Sequence, residues 1–182
     1  MSMGKANPFE KEKLVVGVMY TSEEQYKAIM TRLEKEFGPS DSASEEYAFS
    51  DFSVYYDREM SGRVLKRFVS FRDLVSPETL PEIKLWSNSV EDEYAVAGDR
   101  KVNIDPCLIS HGKFTMATTK GASFRIPIRD GIYADLSLVY SNGQWNHFFW
   151  TYADVKSEPI EAYLAQVRRI YLEQRKAAKS PK

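Results

Sequence analysis

Leu14-Val15-Val16-Gly17-Val18-Met19-Tyr20 runs straight into Thr21–Gly38, where Tyr26, Ile29, Met30, Leu33 and Phe37 recur at helical spacing. This pairing decides the fold class. An unbroken, partly β-branched apolar run suits a central strand buried on both faces. The segment after it opens with Thr21 or Ser22 as N-cap and with Glu24 or Gln25 to complete a capping box. Gly38-Pro39 then stops the helix in the usual order.

Working outward, Ser40–Glu46 reads as a polar loop and Tyr47–Tyr56 as an aromatic strand, irregular near Asp51. Asp57–Gly62 turns the chain and Leu65–Phe71 returns it. A second helix is expected over Pro81–Ala97, with Ile83, Trp86, Val90, Tyr94 and Ala97 on one stripe and Gly98 as its stop. Lys101–Ile104 is a short strand that Pro106 should break. Lys113–Thr119 reads as strand or helix, and its threonines favour strand. Phe124–Ile128 carries Pro127, which suits an edge or a bulge. Arg129-Asp130-Gly131 turns into a strand over Ile132–Tyr140. Ser141-Asn142-Gly143 is the strongest hairpin signal, because Asn-Gly tolerates the positive φ of a type I′ turn, and Gln144–Thr151 closes that hairpin. Ser157 opens a last helix with Ile160, Tyr163, Leu164, Val167, Ile170 and Tyr171 inside.

The order is β-α-β-β-α-β, then strands, then a helix. The expectation is an α+β fold: a ferredoxin-like βαββαβ core extended by a C-terminal antiparallel β-meander and a final helix. One domain spans residues 13–176, between a flexible N-terminal arm (1–12) and a flexible tail (177–182).

Composition narrows function. Of 182 residues, 43% are hydrophobic and 13% aromatic, enough for a core. With 25 basic and 26 acidic side chains the net charge is -1, without the basic excess of a nonspecific nucleic-acid binder. A single cysteine excludes an internal disulfide and a Cys-rich zinc site and fits a reducing compartment. No apolar run is long enough to span a membrane, and the polar start of the chain lacks a signal peptide's apolar stretch. These features lead to the expectation of a cytoplasmic protein. No GxxxxGK[ST] loop is present to cradle nucleotide phosphates.

Chemistry-bearing residues gather in three places. Lys84, Asn88 and Glu91 share one helix face at i, i+4, i+7: a cation for an anion, an amide to orient it, a carboxylate to take a proton or hold a metal. The plainer alternative is a solvated face. Asn103 and Asp105 have strand spacing and can point to one side, although Asp-Pro alone also makes a turn. Lys120 and Arg125 flank a Gly-Ala-Ser turn near Thr118 and Thr119, an arrangement able to cradle phosphate or carboxylate. Cys107 and His111 are assigned incidental roles, because closeness in sequence does not make a catalytic pair. Phe148, Phe149, Trp150 and Tyr152 could stack a base, but packing on the last helix explains them as well.

The ordered set Tyr55-Tyr56 with Glu59-Met60, Ile83-Lys84 with Asn88 and Glu91, Asn103-Ile104-Asp105-Pro106, Ala117-Thr118-Thr119-Lys120, Asp130-Gly131-Ile132-Tyr133 and Trp150-Thr151-Tyr152 resembles the prokaryotic domain-of-unknown-function family 4416. The resemblance covers roughly Lys13 to Gln174. It implies a small cytoplasmic prokaryotic protein and no established activity; the cofactor is left open. Two positions depart from the family pattern: Cys107 stands where the family usually has Gly, and Phe124 where it often has His.

The leading expectation is a small-molecule-binding protein for a phosphate- or carboxylate-bearing ligand. Lys84, Asn88, Asn103, Lys120 and Arg125 would bind it, and Asp105 and Glu91 would act as acid, base or metal ligand. Whether a reaction follows binding is left open, as are the ligand's identity, the metal and the oligomeric state. The other readings are an RNA-binding accessory module on an open sheet face, and an interaction subunit without a ligand.

Overall fold

The computed structural model describes residues 4–179. In chain order its elements are β1 Glu12–Tyr20, α1 Glu23–Phe37, β2 Ser40–Ala43, β3 Tyr47–Ala48, β4 Leu65–Val75, α2 Leu80–Tyr94, β5 Asn103–Ile109, β6 Lys113–Thr118, β7 Ile126–Arg129, β8 Ile132–Ser141, β9 Gln144–His147 and α3 Glu158–Lys179. This is a mixed α+β architecture. One nine-stranded sheet runs β2-β4-β1-β5-β6-β8-β7, with β3 on β4 and β9 on β8. The pairs that place the site, β1 with β4, β1 with β5, and β5 with β6, are all antiparallel.

Every residue of β1 is buried. Alternation sends Leu14, Val16, Val18 and Tyr20 to the side covered by α1 and α2, through Tyr26, Ile29, Leu33, Leu80, Ile83 and Val90. Val15 faces the other side with Phe68, Cys107, Ile109, Phe114 and Leu138, under Ile160, Tyr163, Leu164 and Val167 of α3. Each such side chain contributes about 1.5–3 kcal/mol on burial. Helices on both faces explain why β1 reads as continuous rather than alternating.

Ser22 is the N-cap of α1, its hydroxyl accepting from Gln25 N–H while the Gln25 side chain accepts from Ser22 N–H. Gly38, at φ 81°, ends the helix. Asn142 and Gly143 both have positive φ, as the hairpin turn requires. Lys113–Thr118 is a strand.

Several expected boundaries move. The aromatic stretch Tyr47–Tyr56 forms only the two-residue β3, followed by a 3-10 turn at Phe49–Asp51. Its aromatics pack locally: Phe49 joins Met19, Met60 and Val64, with Tyr56 against them. Alternation there reported a small cluster, not a ladder. The polar stretch Ser40–Ala43, expected as loop, is the edge strand β2, because β4 runs on far enough to pair with it. Its polar residues serve the sheet: Asp41 accepts from Ser70 Oγ at 2.6 Å and pairs with the fully buried Lys13. Helix α2 stops at Tyr94, not Ala97, which has φ 54°. β9 stops at His147, and Phe148–Thr151 turns instead. β7 is an exposed edge strand, where Pro127 costs no ladder bond.

At the chain ends, α3 continues to Lys179, into the stretch expected as loose tail; residues 180–182 and residues 1–3 of the arm lie outside the described residues. The arm from Gly4 to Lys11 is irregular but tied to α3, where Tyr171 donates to the Lys11 carbonyl and Arg175 pairs with Glu10. No described helix is long and apolar enough to cross a membrane.

Candidate functional site

The site begins where two strands part. β5 and β6 pair at Cys107–Met116, Leu108–Thr115 and Ile109–Phe114 only, although β5 reaches back to Asn103 and β6 on to Thr118. Alternation decides what meets the gap: Ile104, Pro106 and Leu108 turn their backbone polar groups the same way, towards β6. Leu108 lies opposite Thr115. Pro106 has no N–H to leave bare. It therefore interrupts one side of the ladder and not the strand, which stays paired with β1 through Val16. Ile104 would be stranded, and side chains of α2 take its groups. Glu91 Oε1 accepts the Ile104 N–H at 2.7 Å, and Lys84 Nζ donates to the Ile104 carbonyl at 2.9 Å.

Helical spacing makes this reach possible, since Lys84 and Glu91 lie two turns apart on one face. Both are buried despite their charge. Lys84 Nζ also lies 3.3 Å from Asp105 Oδ1 and 3.7 Å from Glu91 Oε1. Asn103 Nδ2 donates to Asp105 Oδ2 at 2.7 Å, and Arg100 Nη1 donates to Asn103 Oδ1 at 3.0 Å. Arg100 Nη1 also lies 3.6 Å from Glu91 Oε2. Burial pushes the Glu91 carboxyl above its ordinary value against the pull of Lys84 and Arg100.

These groups open onto a cavity of about 80 Å³, room for a few waters or one small charged group. Lys84, Asn88, Glu91, Asn103, Asp105 and Lys120 all line it. Arg125 does not. Its Nε donates to Asp135 Oδ2 at 2.8 Å, Nη1 to the Lys120 carbonyl at 2.7 Å and Nη2 to the Tyr152 hydroxyl at 2.9 Å. The guanidinium is paired with the buried Asp135, and its bond to the Lys120 carbonyl ties down the loop that carries Lys120.

Four participants were not expected from sequence. Lys66, on β4, is 4% exposed and enters the cavity from the α3 side of the sheet. Its Nζ donates to Asp154 Oδ2 at 2.7 Å, and the Tyr47 hydroxyl donates to the same oxygen at 2.8 Å. The ammonium also sits over the rings of Phe68 and Phe49, 4.6 and 5.1 Å from their centroids. Burial works to lower Lys66, and Asp154 outweighs it, with Asp105 adding to the same effect. Burial likewise opposes ionisation of Asp154, and Lys66 holds it below its ordinary value. Arg100 and Tyr152 also line the cavity. The one available signal was alternation, which puts Lys66 on the same face as Phe68 and Ser70 and so against the core. Gly17 makes that placement possible: a Cβ there would meet Lys66 Cε and Phe68 Cε1 at 3.1 Å.

Cys107 lines the cavity, but burial, with Asp105 adding to it, pushes its thiol well above the ordinary value, so it stays protonated. His111 is exposed and outside the cavity lining, its carbonyl accepting from Arg168. Among the described residues no group of three His, Cys, Asp or Glu side chains converges as a metal site would need. A second, more open groove of about 780 Å³ lies between Ala43–Phe52 and α3, lined by Tyr47, Phe52, Ile160 and Tyr163, with Glu45, Glu46 and Arg169 at its rim. It lacks the converging charges of the first.

Counting donors and acceptors separates the groups that are satisfied from those that are not. Lys84 donates to the Ile104 carbonyl and to Asp105, and the carboxylates of Glu91, Asp105 and Asp154 each accept from a protein donor. Spare donor capacity remains beside them. Among the described residues Lys66 spends one of its three N–H groups, the Asn88 amide spends none, and Lys120 touches only the rings of Tyr55 and Tyr56, 4.9 and 6.0 Å from their centroids.

A family model described as a domain of unknown function (DUF4416) matches residues 10–171. No curated protein and no solved structure matches the chain.

Proposed function

The chain belongs to the DUF4416 family, and we propose that it binds a small phosphate- or carboxylate-bearing ligand in the cavity between α2, β5 and β6. The surplus of unspent donors carries this reading. A cavity whose carboxylates are each paired, while two of its ammonium groups keep unspent N–H groups, is complementary to a group rich in acceptors. Lys66 meets the anion from within, Lys120 at the exposed end, and Asn88 orients it. Asp105 and Glu91 are the acid–base pair beside it. Metal ligation is the weaker role for them, because their oxygens are occupied by Lys84, Asn103 and the Ile104 amide. The ferredoxin-like reading of the first six elements is supported by the antiparallel order β2-β4-β1-β5, with α1 and α2 as crossovers on one face.

Native mass spectrometry of protein purified without dialysis tests the reading. Wild type should carry an adduct that Lys120→Ala and Asn88→Ala both lose. Neither side chain has a hydrogen bond to give up, so loss of the adduct would not reflect unfolding. An adduct that survives both substitutions places the ligand elsewhere.

A further inference from the structure

We propose that Glu59 is a built-in occupant of the anion site, and that a ligand binds by displacing it from Arg100 and releasing the segment that carries it. The inference rests on the anion-binding reading above and adds its regulation. Glu59 and Arg100 meet edge to edge, Nε to Oε1 at 2.7 Å and Nη2 to Oε2 at 3.2 Å. This two-point contact is the one a guanidinium makes with a carboxylate or phosphate ligand. The other end of the same guanidinium already belongs to the cavity, through Asn103 and Glu91. Arg100 and Lys120 both hold the Glu59 carboxyl below its ordinary range, so the cation at the exposed end of the cavity acts on Glu59 as well.

The pair is built to exchange. Its side chains are 29% and 27% exposed, so a dissolved anion can reach both partners. Residues 52–64, which carry Glu59, form neither helix nor strand. Met60 and Val64 anchor the far part of the segment against Met19 and Phe49. The near part is held over the cavity by polar and ring contacts. Lys101 Nζ donates to the Glu59 carbonyl and to Ser61 Oγ. The Arg100 guanidinium lies 5.3 Å from the Tyr56 ring, and Tyr56 itself lines the cavity. Ser61 adopts φ 61°, an unusual backbone for a residue other than glycine. Giving up Glu59 therefore loosens the tie between Arg100 and this segment, while Met60 and Val64 keep it seated on the core.

The test uses the full chain, Glu59→Gln and Asp51→Asn. The last removes a carboxylate from the adjoining turn, where it pairs with Arg63 at 2.8 Å, without touching Arg100. Inorganic phosphate and malonate are titrated by calorimetry, and amide hydrogen exchange of residues 52–64 is followed with and without each. Glu59→Gln should bind roughly tenfold tighter, the gain when a binding-competent tenth of the population becomes the whole. Asp51→Asn should match wild type. Exchange over residues 52–64 should rise when wild type binds anion and be raised from the start in Glu59→Gln. The latch is overturned, and the anion site left standing, by any of three results: equal affinity in wild type and Glu59→Gln, equal gains in the two variants, or exchange that falls or stays level on binding. Absence of binding in all three proteins overturns both the latch and the site.

Discussion

Lys66 and Asp154 show what one buried charge contributes. Their side chains are 5% and 1% exposed, so neither can fall back on water. Removing one partner leaves the other uncompensated, and Lys66→Met should cost about 3–5 kcal/mol in denaturant unfolding. Pairing it with Asp154→Leu should return part of that loss, because an apolar pair of similar volume needs no solvation. A loss within about 0.5 kcal/mol for the single change, the range of surface substitutions, would mean the pair is not shut off from water. The carboxyls also carry opposite pH signs. Asp154 is lowered on folding, so its contribution is complete above the ordinary aspartate value of about 3.9 and is lost as pH falls through the lower folded value. Glu91 is raised, so its contribution is complete below about 4.3 and is lost as pH climbs through the higher folded value. Carbon-detected carboxyl titration should place Asp154 below and Glu91 above those references; the reverse order would remove the electrostatic account of the cavity.

At the scale of elements, the central observation is that α2 completes the open edge of β5. Glu91 and Lys84 act there as a substitute strand, offering Ile104 one acceptor and one donor. Glu91→Leu should leave the Ile104 N–H without a partner and cost about 1–3 kcal/mol, whereas Glu91→Gln keeps an acceptor in place and should cost clearly less. Equal costs would show that shape, not the hydrogen bond, holds β5 open. The same geometry explains how much of the site was legible. Helical spacing put Lys84, Asn88 and Glu91 together, and strand spacing put Asn103 with Asp105. Nothing in either pattern reports that β6 leaves β5 at Pro106, which is what brings the two sets face to face. Arg125 lies off the cavity lining because its partner Asp135 lies on β8, and only strand pairing shows that partner.

For the molecule as a whole, the three-layer arrangement has a thermodynamic consequence. Val15, Phe68, Ile109, Phe114 and Leu138 share their cluster with Ile160, Tyr163, Leu164 and Val167 of α3. A chain ending before Glu158 should retain strands but expose that face, bind a hydrophobic dye and lose near-ultraviolet ellipticity; a truncated chain with native near-ultraviolet signal would show that α3 is dispensable. The same coverage leaves β4, β1 and β5 without an open face on which a nucleic acid could lie, which weighs against the RNA reading. The local code determined the central strand, the capped first helix, the Asn-Gly hairpin, the amphipathic last helix and the two short polar constellations, because each depends on residues within a few turns or a few ladder steps. Tertiary structure alone decided that Ser40–Ala43 pairs while Tyr47–Tyr56 pairs only at Tyr47–Ala48, that Lys66 is driven inward beside Gly17, and that Glu59 lies on Arg100. Those outcomes depend on which distant segment supplies a hydrogen bond or a counter-charge in low dielectric, and a partner 41 or 88 positions away leaves no periodic trace in the chain.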